Sequence, residues 1–210
     1  MFGWGKRKTL SDFDGPLSRE ELIRRGRIAL IDDETPILLE HLRNSQFFVD
    51  HDSRGDDLRK YEAQLYDVAI VDYYGVGQTL GPAQGLDLLK HIRRVSPGTR
   101  LIAYTSRSLN AVESEFFRLS HIVLPKDMGL GDSMALIEDQ IRKSFGKEHI
   151  FEALLTKLSV SDPEARAQMQ SALTKALDSK NKGKFKEYVV RAAGVAAEKT
   201  VEAMITRLFL

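Results

Sequence analysis

From Arg27 onward, short apolar runs alternate with longer amphipathic stretches. The apolar runs predict strands near 27–32, 46–51, 67–72, 100–104 and 121–124. Helical spacing of apolar residues falls near 35–44, 54–65, 84–95, 109–118 and 131–145. Strands that alternate with helices of this length indicate βαβ units and a parallel sheet. Residues 28–31 and 68–71 are apolar throughout, as expected of central strands covered on both faces. Phe47-Phe48-Val49-Asp50-His51 is less uniformly apolar and suits an edge.

The flanks break this rhythm. In residues 1–26, Gly3, Gly5, Gly15 and Pro16 punctuate the chain, so this part reads as a lead-in segment. Ser18-Arg19-Glu20-Glu21 has capping-box spacing. It predicts a short helix to about Arg25, or else a flexible tail with a fortuitous cap. Residues 147–210 contain no convincing strand and predict about three helices. The first covers 148–159. Asp162-Pro163-Glu164 starts the second, with Asp as N-cap and Pro at the first position, running to about Ser179. After a stop at Asn181-Lys182-Gly183, the third runs from about Phe185 to Phe209. The chain thus divides into 1–26, a sheet-bearing domain over 27–146, and an all-α extension over 147–210.

Val189, Val190, Ala193, Ala196, Ala197, Val201, Met204, Ile205 and Leu208 make a broad apolar stripe on that last helix. Leu154, Leu155 and Leu158, and Met169, Leu173 and Leu177, make matching ones. The stripes predict a helical bundle, either folded on its own chain or shared between two chains as a homodimer. Self-association or partner docking is the role expected of it.

Composition narrows the class. Of 210 residues, 42% are hydrophobic and 29% charged, enough for a packed core and against wholesale disorder. A net charge of +1 argues against non-specific attraction of the whole chain to nucleic acid. There are no cysteines, which excludes disulfides and thiolate metal sites. No apolar run reaches the roughly 18 residues of a membrane span. Met1–Lys8 lacks the apolar stretch of a secretory signal. A cytoplasmic protein is expected.

The candidate chemistry lies at strand ends. Asp32 and Asp33 close the first strand, Asp72 the third and Thr105 the fourth, while Lys126 follows the fifth. In a doubly wound sheet, ligands bind beyond the carboxyl ends of the strands. Three carboxylates there repel one another unless a cation intervenes. Mg2+ suits that role, since it takes a few carboxylates and keeps positions for water and phosphate oxygens. Asp72 can then act as nucleophile toward a phosphoryl group. Lys126 supplies positive charge and Thr105 a hydroxyl. Taken singly, a strand-end aspartate most often caps the next helix; the ordered set points to a site.

Other features read blandly. His41, His51, His91, His121 and His149 are scattered without i, i+4 ligand spacing, so surface or packing roles are favoured. Tyr73 and Tyr74 read as loop aromatics covering the core, with gating of the pocket as the alternative. Gly75-Val76-Gly77 lacks the Lys-Ser/Thr of a phosphate-binding loop. Lys180–Lys186 reads as a solvated turn, with phosphate contact as the minority reading.

Leu30-Ile31-Asp32-Asp33-Glu34, Ile70-Val71-Asp72, Gly85-Leu86-Asp87-Leu88-Leu89, Ile102-Ala103-Tyr104-Thr105-Ser106 and Leu124-Pro125-Lys126 together resemble a response-regulator receiver domain over about residues 26–146. The resemblance implies a five-stranded, flavodoxin-like sheet of order 2-1-3-4-5. It implies Asp72 as phosphoacceptor and Asp32 and Asp33 as Mg2+ ligands. Asp72 and the backbone carbonyl of Tyr74 join them at the metal. Thr105 is then the switch hydroxyl and Lys126 the phosphate-binding lysine. A histidine kinase or phosphotransfer protein is the implied donor. The protein would be a signalling phosphoacceptor rather than an enzyme.

Four departures stand out against the family pattern. The segment between Asp72 and Gly85 is long and glycine-rich, and reads as an enlarged, flexible loop. Asp127 follows the lysine where proline is usual. Val123 fills the place of the aromatic switch residue, and Ser106 that of a smaller residue. Two alternatives remain: a nucleic-acid-binding regulator with the C-terminal helices as output, and an unphosphorylated pseudo-receiver scaffold.

Overall fold

The five apolar runs pair in parallel in the order β2-β1-β3-β4-β5. In this computed structural model, residues 8–62, 66–106, 114–194 and 199–210 are described. The strands are β1 (Arg27–Ile31), β2 (Phe48–Asp52), β3 (Val68–Asp72), β4 (Arg100–Thr105) and β5 (Ile122–Pro125). Helices α1 (Arg19–Arg25), α2 (Ile37–Asn44), α3 (Arg59–Glu62), α4 (Gly85–Val95), α5 (Ser114–Leu119) and α6 (Leu130–Ser144) are interleaved with them. The sheet, its order and its doubly wound α/β class are those expected. Every residue of β3 is buried, as is β1 from Ile28 to Ile31, while β2 lies at an edge. Continuous apolar runs mark the strands that have a neighbour on either side and cover on both faces.

The chain divides into two compact units. One is Leu17–Ser144; the other joins Met1–Pro16 to Phe145–Leu210. Within the first, the capping box forms: Ser18 Oγ accepts from Glu21 N and Glu21 reaches back to Ser18 N, starting α1. Arg19 pairs with Glu138 of α6 at 2.9 Å, and Arg142 donates to the Leu17 carbonyl. The sequence predicted a helix over 54–65, but the described helix is only Arg59–Glu62. Asp52 accepts from the backbone N–H groups of Arg54 and Gly55, and Gly55 has a positive φ of 69°. That turn delays the helix; residues 63–65 lie outside those described, as do 107–113 of the helix expected near 109–118.

The Asp52 carboxylate also accepts from Tyr61 Oη (2.7 Å) and pairs with Lys60 (2.8 Å). Burial would raise its pKa, but Lys60, the backbone donors and Tyr61 outweigh burial and hold the group well below the usual carboxylate range. A depressed carboxylate stabilises the fold above its ordinary value of 3.8, and that stability is lost as pH falls through the lower folded-state value. Asp52→Asn should therefore cost about 1.5–3 kcal/mol at neutral pH, the scale of hydrogen bonds to a charged group. The deficit should shrink below about pH 4. Urea melts of both proteins at several pH values measure it.

The second unit is helical: α7 (Lys147–Lys157), α8 (Pro163–Asp178), α9 (Lys182–Ala193) and α10 (Lys199–Leu208). Asp162 caps α8 by accepting from Ala165 N, with Pro163 at the first position. The third helix expected over 185–209 is two helices. Gly194 ends α9 in the left-handed conformation (φ 63°), a common helix stop. The apolar stripes close on one another: Leu154, Leu155, Met169, Leu173, Phe185, Val189, Val201, Met204, Ile205 and Leu208 share one buried core. Leu10, in a short 3-10 helix, is buried in it too. Most of the described stripe residues thus pack within this chain, while Val190 is exposed, and Ala196 and Ala197 lie outside the described residues. Among the described residues, no helix is long and apolar enough to cross a membrane.

Candidate functional site: an acidic cluster at the carboxyl end of the sheet

The parallel register carries the ends of β1, β3, β4 and β5 to one edge of the sheet. Ile31 pairs with Val71, Asp72 with Tyr104, and Thr105 with Pro125. Asp32, Asp72, Thr105 and Lys126, singled out from the sequence, lie in these pairs or directly after them. Asp32, Asp33 and Asp72 each present a carboxylate oxygen within 4.8 Å of the others. Asp32 is fully buried, Asp72 is 7% exposed, and Asp33 faces solvent.

Lys126 Nζ lies 2.7 Å from Asp72 Oδ2 and 2.8 Å from Asp32 Oδ2. The first contact is a hydrogen bond. The second is close in distance but poorly aligned, so the buried Asp32 Oδ2 has no hydrogen-bond donor directed at it. Burial raises the Asp72 pKa and Asp32 adds to this, against the lowering effect of Lys126 and Tyr73 N. Burial would lower the Lys126 pKa, but the two carboxylates outweigh burial and push it up to about 12. The lysine is therefore charged, while burial and Asp32 disfavour the charged form of Asp72.

Three carboxylates against one ammonium leave two negative charges uncompensated. With hard oxygen ligands and one buried oxygen lacking a directed donor, the set fits a small divalent cation.

Thr105 is buried at the end of β4, and its carbonyl accepts from Lys126 N at 2.8 Å. The hydroxyl-bearing residue and the lysine thus share one backbone hydrogen bond. Asp127 in place of proline does not keep Lys126 from the carboxylates. Val123 is half-buried, pairs with Ala103 across the sheet and packs against the core cluster of that unit. An aromatic does stand near the lysine: Lys126 Nζ is 5.2 Å from the centroid of the Tyr104 ring. Burial pushes the Tyr104 hydroxyl up. Its place directly before Thr105 is visible in the sequence, but its packing on Lys126 depends on β4 pairing with β5.

The segment after Asp72, read from its glycines as an enlarged, flexible loop, is packed and hydrogen-bonded at several points. Val76 is fully buried. Gly75 N donates to Gln84 Oε1 (2.9 Å), Gly77 N to Arg54 O (2.7 Å) and Thr79 Oγ1 to Asp56 Oδ1 (2.9 Å). Gly75 (φ 78°) lies so close to Asp33 that a Cβ there would sit 2.2 Å from its Cγ. The backbone following Tyr74 therefore borders the acidic cluster. Tyr73 is buried and makes edge contacts with Phe116 and with Tyr74, the core role favoured for it.

No family model matches this sequence, and no curated protein matches it. Solved structures do. The architecture is the flavodoxin-like, doubly wound class, and within that class it has the fold of response-regulator receiver domains. The signal receiver domain of an HD-domain-containing protein from Pseudomonas fluorescens is similar at a TM-score of 0.51 and 15% identity, covering 60% of this chain and 93% of that one. NtrX from Brucella abortus is similar at a TM-score of 0.51 and 15% identity, covering 73% of this chain and 35% of that one.

Proposed function

We propose that this protein is a phosphorylation-switched signalling protein of the two-component type, with Asp72 as the phosphoacceptor. The observation that carries the reading is Lys126 lying within 2.8 Å of both Asp32 and Asp72, beside Asp33, at the carboxyl end of a receiver-fold sheet.

One carboxylate oxygen of Asp72 attacks the phosphorus of an acyl phosphate or phosphohistidine donor. The new P–O bond forms as the bond to the donor's oxygen or nitrogen breaks, and the leaving group departs with its electron pair. Asp32, Asp33, Asp72 and the Tyr74 carbonyl would hold Mg2+, which supplies charge compensation for the carboxylates and the incoming phosphoryl oxygens. Lys126 transfers its ammonium from Asp72 to a phosphoryl oxygen. Thr105 donates its hydroxyl to another, drawing the end of β4 inward. The physiological donor would be a histidine kinase or phosphotransfer protein. The protein acts as a signalling phosphoacceptor, not as an enzyme on a separate substrate. The helical unit serves as a site for partner docking; burial of most of its described apolar stripe residues within this chain weighs against a homodimer built on them.

Incubation with Mg2+ and acetyl phosphate should add one phosphoryl group by intact mass, and chelation should abolish the adduct. No adduct from either acetyl phosphate or a phosphohistidine donor would remove the reading.

Gly75→Ala should weaken Mg2+ binding about tenfold, the usual scale for disturbing a ligand's support. The new methyl group meets Asp33, whose exposed side chain swings away. The positive φ adds about 1–2 kcal/mol of strain. Calorimetric Mg2+ titration and a urea melt read the two effects separately.

A further inference from the structure

His51 lies outside the carboxylate–lysine–threonine set, yet it holds the turn that carries two of the carboxylates. Alternation along β2 sends Asp50 and Asp52 toward Lys60, Tyr61 and Tyr66. His51 between them faces the opposite way. Its Nε2 lies 3.0 Å from the Asp32 carbonyl and 3.1 Å from the Glu34 carbonyl. Both partners are acceptors, so Nε2 carries the proton and the ring donates to two carbonyls that bracket Asp33. The same turn is braced from inside, where Glu34 N donates to Asp32 Oδ1 at 3.0 Å. It is braced at its base by Asp32 N donating to Asp52 O at 3.2 Å. The Asp32 carbonyl and the Glu34 N–H belong to the two peptide planes that flank Asp33, and the Glu34 carbonyl and Asp32 N–H to the planes next outward, so together the bonds fix the backbone on both sides of Asp33. Asp33 is the exposed member of the cluster, and its own side chain gives burial little hold on it.

We infer that His51 is a positioning residue for the cation site: its imidazole latches the Asp32-Asp33-Glu34 turn so that both carboxylates face Asp72 before the cation arrives. The inference rests on the reading of Asp32, Asp33 and Asp72 as a Mg2+ site. Groups that orient metal ligands without touching the metal commonly change affinity by about 10–100-fold when removed. A latch on the backbone belongs at the low end of that range.

The test is calorimetric titration of the full chain with Mg2+ for wild type, His51→Phe and His51→Gln, with metal-free unfolding midpoints recorded for each. Phe keeps the ring's volume without a donor. Gln places an amide N–H near the position of Nε2. His51→Phe should raise the Mg2+ Kd about tenfold, and His51→Gln should restore most of the affinity even if its midpoint falls. At saturating Mg2+, uptake from acetyl phosphate by His51→Phe should return to the wild-type rate, because the latch acts on binding and not on the nucleophile. Unchanged affinity in His51→Phe overturns the inference. So does a Gln variant that binds no better than Phe, since packing alone would then explain the loss. Wild type that takes up no Mg2+ overturns both the inference and the reading beneath it, and that result is seen before any variant is made.

Discussion

Asp72→Asn should take up no phosphoryl group from acetyl phosphate, and yet its metal-free form should resist unfolding better than wild type at neutral pH. Loss of uptake follows from chemistry: an amide oxygen is a poor nucleophile and cannot form the acyl phosphate. The gain in stability follows from electrostatics. Burial and the neighbouring Asp32 raise the Asp72 pKa despite Lys126, so the folded protein binds that proton more tightly than the unfolded chain does. Such a group stabilises the fold below its ordinary value of 3.8, and the contribution is lost as pH rises through the folded-state value. Asn carries no such dependence and leaves Lys126 paired with Asp32. The variant's advantage should thus be absent in acid and grow to the order of 1 kcal/mol toward neutral pH. Added Mg2+ should narrow it, because a ligand that binds only the folded wild type stabilises it by mass action. Thermal melts from pH 4 to 8, with and without Mg2+, measure all of this. A variant less stable than wild type at neutral pH without metal would show that the Lys126–Asp72 pair outweighs burial.

Gly85→Ala should be the most damaging small substitution near the site, costing about 3 kcal/mol or more. Gly85 opens α4 where the chain returns from its excursion after Asp72, and its N–H donates to the Tyr73 carbonyl at 3.0 Å. A Cβ would sit 2.0 Å from the Asp72 carbonyl oxygen, 2.8 Å from the Tyr73 carbonyl oxygen and 2.9 Å from Tyr73 Cα. All three are backbone atoms, so no side chain can rotate away. Either α4 or the end of β3 must move, and the second displaces the phosphoacceptor. The variant should therefore lose stability in a urea melt and phosphorylate more slowly even when fully folded. A stability close to wild type would mean that the two chain segments are less closely packed than these distances require.

Several features were legible because they depend on local chemistry. Asp162 and Pro163 mark a helix start whose donors and φ are set by the residues themselves. The continuous apolar runs at 28–31 and 68–71 marked the central strands, since only two covered faces tolerate such runs. Other features misled for an equally physical reason. The glycines between Asp72 and Gly85 suggested freedom, but Gly75 and Gly77 use positive φ to bring backbone close to Asp33, Gln84 and Leu88. The apolar spacing across residues 185–209 concealed a break, because Gly194 lies among small residues that keep the stripe going. His51 looked isolated because its partners are two backbone carbonyls, which no pattern of side chains records.

The sequence by itself determined which residues lie at the ends of parallel strands, and hence that Asp32, Asp33, Asp72, Thr105 and Lys126 would share one edge of the sheet. Period and apolar continuity encode strand ends, and in a parallel sheet those lie on one side, which suffices to gather the set; the strand order was implied by the resemblance alone. Only the tertiary structure decided how the members meet: Lys126 bridging Asp32 and Asp72, Gly75 set against Asp33, Tyr104 beneath the lysine, and His51 holding the turn. Those contacts join residues far apart in the chain through backbone atoms and side-chain directions. They are fixed only when the strands have paired and the loops have packed.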